Sequence, residues 1–511
     1  MFRFTSLVPN PFLSRSTPPP QSSDPPSPPL PPMAEDAPSS APAFPFLRLP
    51  LELREQIYSY YFHPGDHLVR STALEAKGFF GGVYHWDFDV FYVNKQIHRE
   101  SKRVWRRENI FVKIATPWPS AGMYRVYILA TEGVPEQLHR YGGISLSGSH
   151  HAQANAFSGH HAVVQIDSPM QIVTPEHMVV MLADDLPLFT RTWYYSALSY
   201  PTLNERLNTT FMLRNPAKTD DNRDEDSEEQ DQEQDGLGVP LAIQRKLLHP
   251  FEHVKGLHDS IFIGFSNTVQ SELARLQARP IPSLEQSLES ATDYLAAGDA
   301  ALAKSTEPTA LEAIELYKKA FHAIHILVHG RTRRVMADVF FQDAVTNGRY
   351  AGQTGVTVRV VLRLKLVSRF LAAYNQLARW DDAAFWGMRS VTILEESLNP
   401  DFEMFLAEVL GGSDVGMIYL RTGIAFWHME CKREDWMGEL ISYADDDLAG
   451  SRRLWDAAVR FLRHANKDEA RSELLAYGVP RETVALFADV QAAKEDLESM
   501  VARDGSSTSE E

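Results

Sequence analysis

Near residue 283 the chain changes the period of its hydrophobic pattern, and that switch bounds its architecture more tightly than any other feature. Upstream, short β-rich runs recur: NIFVKIA, YRVYILA, HAVVQID, HMVVML, TTFML and SIFIGF. Among the later runs stand the helical stretches LPLFTRTWYYSAL, LAIQRKLLHPFEHV and TVQSELARLQA, a pattern that fits helices laid on a small sheet. From 283 onward the strands disappear and long amphipathic helices take over, several ending at Gly or Asn. The predicted class is multidomain α+β, with a mixed α/β domain over 44–280 and an all-α helical-repeat domain over 281–503.

Other stretches stand apart from both domains. Residues 1–43 are dominated by Pro and Ser, which cannot bury enough apolar surface to offset chain entropy, so they are predicted to be disordered. Arg3, Arg15 and the lack of an acid before Asp24 give this leader some transit-peptide character, but its proline content favours disorder. PPSPPLPP reads first as linker and only second as an SH3-type ligand. Residues 504–511 read as a short disordered tail. The tract DDNRDEDSEEQDQEQD, residues 220–235, holds ten acids and one arginine, so it supplies −9 of the net charge of −17. It is read as a disordered acidic loop, 216–240, thrown out of the α/β domain. The rest of the chain is only mildly acidic.

A single cysteine, Cys431, excludes an intrachain disulfide and any cysteine-pair zinc or redox motif. The expected setting is intracellular, cytoplasmic or nuclear. No apolar run approaches the roughly 18 residues that span a bilayer, so no membrane partner is expected.

The first stretch able to bury anything is FPFLRLPLELREQIYSYYF, residues 44–62. Pro50 suits a first helical turn and Glu52 complements the helix dipole there. At about 100° per residue, Leu49, Leu53, Ile57 and Tyr60 share one face, which can pack on the domain beneath; Leu51, Tyr58 and Phe62 line the opposite one, so the helix is either fully buried or shared between its own domain and a partner. About forty residues later, in VNKQIHRESKRVWRRENIF, Val93, Ile97, Ser101 and Val104 form a narrow apolar face. Lys95, Arg99, Lys102, Arg103 and Arg106 form a basic stripe opposite. One basic helix without clustered aromatics argues against nucleic acid and for solvent or an acidic partner.

These two elements resemble the fungal F-box-like proteins with paired E-x-R motifs. LRLPLELREQIYSYYF resembles the first F-box helix, with Glu52-x-Arg54 as the first motif; the second is imperfect, with Glu100-Ser101-Lys102-Arg103 in place of Glu-Ser-Arg. RKLLHPFEHVKGLHDSIFIGF resembles the helix and strand that end such domains. The resemblance spans roughly 44–270. It implies an F-box-like fold and assembly with a Skp-type adaptor into a cullin-RING ubiquitin ligase, with Leu49, Pro50, Leu51, Glu52, Arg54, Ile57, Tyr58, Phe62, Arg99 and Arg103 at the partner-binding surface.

In the helical half a small-large-small spacing recurs at Ala313, Tyr317 and Ala320, and at Ser451, Trp455 and Ala458; between them the same spacing holds Ala383, Gly387 and Ser390. The starts lie about twice the 34-residue tetratricopeptide period apart. Tyr374 precedes Ala383 by nine residues, and Gly423 holds a close-approach position ahead of the third element. The region resembles an irregular tetratricopeptide array over roughly 283–465, whose stacked pairs leave a groove for a client peptide or protein.

Catalytic signals are few. HPFEH, with His249, Glu252 and His253, matches an inverted-zincin pattern, but no third ligand is singled out downstream. SHHAQANAFSGHH carries His150, His151, His160 and His161 in a Gly/Ser-rich stretch that reads as a surface loop. Neither Ser145 nor Ser266 completes a G-x-S-x-G elbow, and no phosphate-binding glycine loop is present. The expectation is therefore a non-enzymatic adaptor with no cofactor and no metal. The alternative is a protein-binding scaffold unrelated to ubiquitin; more remote is a zinc hydrolase built on HPFEH.

Overall fold

The computed structural model describes residues 44–69, 83–117, 157–168, 177–216, 238–397, 413–431, 447–462 and 464–488. The proline-rich leader, the 220–235 tract, the tail and the run YRVYILA lie outside them. The chain divides into two units, one ending at Arg54 and one beginning at Glu55. In the first, Phe46–Arg48 makes a 3-10 turn, and helix α1, Leu51–Tyr61, begins just after Pro50. Arg54 is buried and donates back to the carbonyls of Leu47, at 3.3 Å, and Leu49. The arginine of the first E-x-R motif therefore closes the turn that launches the helix.

From Glu55 onward α1 lies along helix α2, Lys95–Glu108. Asn94 starts α2 by accepting from the amides of Gln96 and Ile97, both at 2.9 Å, which satisfies two donors a helix start leaves open. Between these helices the chain forms a short antiparallel pair, β1 (Leu68–Val69) with β2 (Val83–Tyr84). It then supplies Trp86, Phe88 and Phe91 to a buried cluster of rings.

Strand β3 (Phe111–Thr116) follows α2 almost directly and is an interior strand of a five-stranded sheet. Its partners are β4 (His160–Asp167), β5 (His177–Leu182), β6 (Asn208–Leu213) and β7 (Asp259–Ile263), in the order β5-β3-β4-β6-β7. Pairs β3/β4 and β6/β7 are parallel; β5/β3 and β4/β6 are antiparallel. Val112, Ile114, Val164 and Phe211 join a core with helices α3 (Leu186–Ser199), α4 (Leu241–Leu248) and α5 (Asn267–Gln277). Phe111 instead packs into the ring cluster, 5.2 Å from Trp105 and 5.3 Å from Phe157. Alternation along β3 thus joins the α1/α2 pair to the sheet on one side and the covering helices on the other.

Downstream, helices α6 (Leu284–Leu302), α7 (Glu307–Ala323), α8 (Gly355–Gln376), α9 (Trp380–Ser397), α10 (Ser413–Cys431) and α11 (Asp447–Phe461) pack successively, and α12 (His464–Ala476) and α13 (Arg481–Ala485) extend the stack. One core runs from Leu288 to Phe487. The expectation that strands disappear after 283 is corrected here. ILVHGRTRRV folds as an antiparallel hairpin, β8 (Ile326–His329) and β9 (Thr332–Val335), turned at Gly330 with φ +54°.

That hairpin ties the helical half to the α/β half. Leu188, Tyr194 and Tyr195 of α3 pack with Leu327 and Ala337, and the Tyr195 hydroxyl donates to the carbonyl of His322 at 2.7 Å. Arg359 of α8 secures the hairpin's two ends, donating to the carbonyls of Ile324, His325 and Met336 and pairing with Asp338 at 2.7 Å.

Candidate interaction surface

Tyr58 and Phe62 bring α1 against its neighbours. Phe62 is wholly buried, 5.4 Å from the ring of Phe91, and its carbonyl accepts from Asn109 at 3.3 Å. Tyr58, 1% exposed, donates its hydroxyl to Glu100 of α2 at 3.1 Å. Ser59 bonds Glu108, and Glu55 pairs with Arg107 at 2.9 Å. The two faces of α1 are thereby told apart, except that Leu51 stays exposed beside its buried companions. Tyr58 and Phe62, expected at the partner-binding surface, are covered by α2 and by rings from the 63–92 segment; Leu53 and Tyr60, on the face that could pack on the domain, are exposed at 46% and 70%, and Ile57, which the resemblance puts at the partner-binding surface, is exposed at 43%.

Of the remaining residues assigned to this surface, Pro50, Leu51 and Glu52 are exposed, Leu49 is half-buried and Arg54 is buried in its own turn. On α2, Ile97, Ser101 and Val104 are buried as the narrow face requires, but Val93 lies before the helix and is exposed. Arg99 and Arg103 are exposed. The described arrangement can therefore offer an apolar strip on α1 and a basic strip on α2, both on helices held from behind by buried rings.

The helical-repeat residues are placed at close approaches. A Cβ on Gly298 of α6 would stand 2.4 Å from Tyr317 of α7, and one on Gly423 of α10 would stand 2.5 Å from Trp455 of α11. Gly387 does the same work differently, admitting Thr422 from α10, the first helix of the next pair. Ala313, Ala320, Ala383 and Ala458 are buried beside these contacts, and Tyr374 is buried 5.6 Å from Phe370.

HPFEH does not form the α-helix that would bring both histidines to one face. Pro250 removes an amide hydrogen, α4 stops at Leu248, and 249–253 is a 3-10 turn. A cleft of about 540 Å³ opens between this turn and α3, lined by Arg191, Lys246, His249 and His253 among others. His249 reaches Glu272 at 3.2 Å, but Arg245 clasps the same carboxylate through two contacts of 2.8 Å and draws it down to about 2. His253 stacks on Tyr194 at 5.0 Å, and burial pulls its imidazole below the usual range. Among the described residues no group of three or more His, Cys, Asp or Glu could hold a metal ion.

The histidine-rich stretch is also corrected. His150 and His151 lie outside the described residues, but His160 and His161 open strand β4 and are buried. Burial draws them down to about 3 and about 4, so both are neutral at physiological pH. Ser266 is buried at the start of α5, where its hydroxyl accepts from the amide of Thr268 at 3.3 Å. Ser145 lies outside the described residues.

No helix among the described residues is long and apolar enough to cross a membrane. Comparison of the chain with family profiles, curated proteins and solved structures finds no match in any of the three.

Proposed function

We propose that this protein is a non-enzymatic interaction adaptor that docks a partner through the outer face of α1 and uses its helical half to hold a client. The observation that carries the reading is the asymmetry of α1. Tyr58 and Phe62 are spent on the interior, while Ile57 and Tyr60 on the same helix stay exposed. Large apolar side chains repeated along one face of an anchored helix match a protein contact better than they match solvent. The F-box-like opening makes a Skp-type adaptor of a cullin-RING ligase the first partner to test. Arg99 and Arg103, exposed on the neighbouring α2, favour a partner with acidic character.

A second reading, a scaffold unrelated to ubiquitin, draws on the 63–92 segment. Its Trp86, Phe88 and Phe91 are integral to the interior behind α1, so the two motifs serve a larger fold than a minimal docking module. The deciding experiment is a pull-down from fungal extract with the full chain and an Ile57→Asp, Tyr60→Asp variant of matched circular dichroism. A Skp-type adaptor and cullin recovered by the wild type alone support the ligase receptor. If neither protein retains them, the ligase reading fails and the scaffold stands.

A further inference from the structure

Buried arginines in the helical half are mostly supplied with carboxylates. Arg421, 5% exposed, makes contacts of 2.9 Å to Glu473, and Arg359 pairs with Asp338. Arg333 breaks the rule. It too is 5% exposed, yet the groups its guanidinium touches are neutral: Nη1 donates to the Ser390 hydroxyl at 3.1 Å, the guanidinium lies 5.2 Å from the Trp386 ring, and Nη2 has no partner among the described residues. The charges beside it have its own sign. Arg389 of α9 donates to the carbonyl of Arg333 at 2.9 Å, and among the described residues Arg363 of α8 makes neither a hydrogen bond nor an ion pair. Burial first, then Arg363 and Arg389, push Arg333 well below its usual range; burial, Arg389 and Arg359, opposed by Asp338, bring Arg363 down to about 10.

A guanidinium does not shed its proton at neutral pH, so this charge needs an opposite one. An uncompensated ion in the interior is among the most costly arrangements a fold can hold. Arg363 and Arg389 are only half-buried, so the cluster reaches from the interior towards the surface. We propose that Arg333, Arg363 and Arg389 form an oxyanion site between the β8–β9 hairpin and helices α8 and α9, taking inorganic phosphate or the phosphate group of a small phosphomonoester. Phosphate fits better than a carboxylate because Arg363 and Arg389 stand beside Arg333, and an anion with several acceptor oxygens meets more forked donors.

The test is calorimetry and thermal unfolding of the full chain with inorganic phosphate, phenyl phosphate and chloride at equal ionic strength. Phosphate should bind one per chain and raise the unfolding midpoint where chloride does not; tighter binding of phenyl phosphate would identify an ester as the natural form. Arg363→Gln, at a half-exposed position, should weaken phosphate binding by about tenfold or more. Arg333→Met supplies a second readout. Without phosphate it should melt higher than the wild type, because a buried unpaired charge is gone, and it should gain nothing from phosphate. Equal responses to phosphate and chloride, or phosphate binding unchanged in both variants, would overturn the site. So would a wild type indifferent to phosphate that loses stability when the acids of 220–235 are neutralised, since the counter-charge would then belong to the chain itself.

Discussion

Gly298→Ala is the sharpest probe of the helical half, because local propensity and packing predict opposite signs. In the middle of a helix, alanine is favoured over glycine by about 1 kcal/mol. Its Cβ would stand 2.4 Å from Cε1 and 2.7 Å from Cδ1 of Tyr317, well inside contact distance. The ring has little room to yield, being wholly buried with its hydroxyl on Asp299 at 2.8 Å. Overpacking of this kind costs about 1–3 kcal/mol, so the net change is a loss of up to about 2 kcal/mol. In a Tyr317→Ala background the obstruction is gone and the same substitution should stabilise by about 1 kcal/mol. The coupling between the two sites is therefore about 1–3 kcal/mol. Hydrogen exchange of the α6 and α7 amides in the four proteins measures it locally, which suits a chain with several cores. If Gly298→Ala stabilises equally with and without the Tyr317 ring, α6 and α7 do not approach as described and the packing argument fails.

Other consequences can be measured in the same preparations. Phe62→Ala should cost about 3–5 kcal/mol by chemical denaturation, whereas Tyr60→Asp on the outer face should change stability by no more than about 0.5 kcal/mol. Arg421→Met leaves Glu473 without its partner in a largely buried setting and should cost about 3 kcal/mol, most of it recovered by adding Glu473→Leu. Acid should destabilise the fold through its buried imidazoles: His160, His322 and His325 are drawn down to about 3 and His161 to about 4, chiefly by burial. Their neutral forms cost nothing above the unfolded value of about 6.5. Below it the unfolded chain binds more protons, so stability falls with pH down to the folded values, by up to about 1.4 kcal/mol per unit for each ring. A midpoint that stays flat between pH 6.5 and 4 would contradict this.

The strands were legible because β-branched residues alternate with others over short runs, and each such run within the described residues became a strand of the sheet. Close approaches in the helical half were partly legible for a related reason: a glycine opposite a large ring leaves a spacing on each helix, as Gly423 and Trp455 do. The hairpin was not. ILVHGRTRRV carries β-branched residues and a glycine turn, but flanking helical periodicity outweighs ten residues. Nothing local announces that Tyr195, well over a hundred residues upstream, will hold this segment. The arginine site shares that obscurity, since Arg333, Arg363 and Arg389 meet only once the hairpin has folded onto α8 and α9.

The two faces of α1 show the same limit in its simplest form. Leu53, Ile57 and Tyr60 make as good an apolar stripe as Tyr58 and Phe62, and a helical wheel ranks neither. Which one enters the interior depends on hydrogen bonding and shape supplied from elsewhere. Tyr58 has a hydroxyl that Glu100 can accept, and Phe62 meets Phe91, a ring brought in by the segment between the two motifs. Tyr60 also has a hydroxyl, but its strip is left 70% exposed at that residue. The stripe left outside is thus the one for which the fold itself supplies the least cover. That is why the outer face of α1, rather than the one carrying Tyr58 and Phe62, is where substitution to aspartate should separate partner binding from folding.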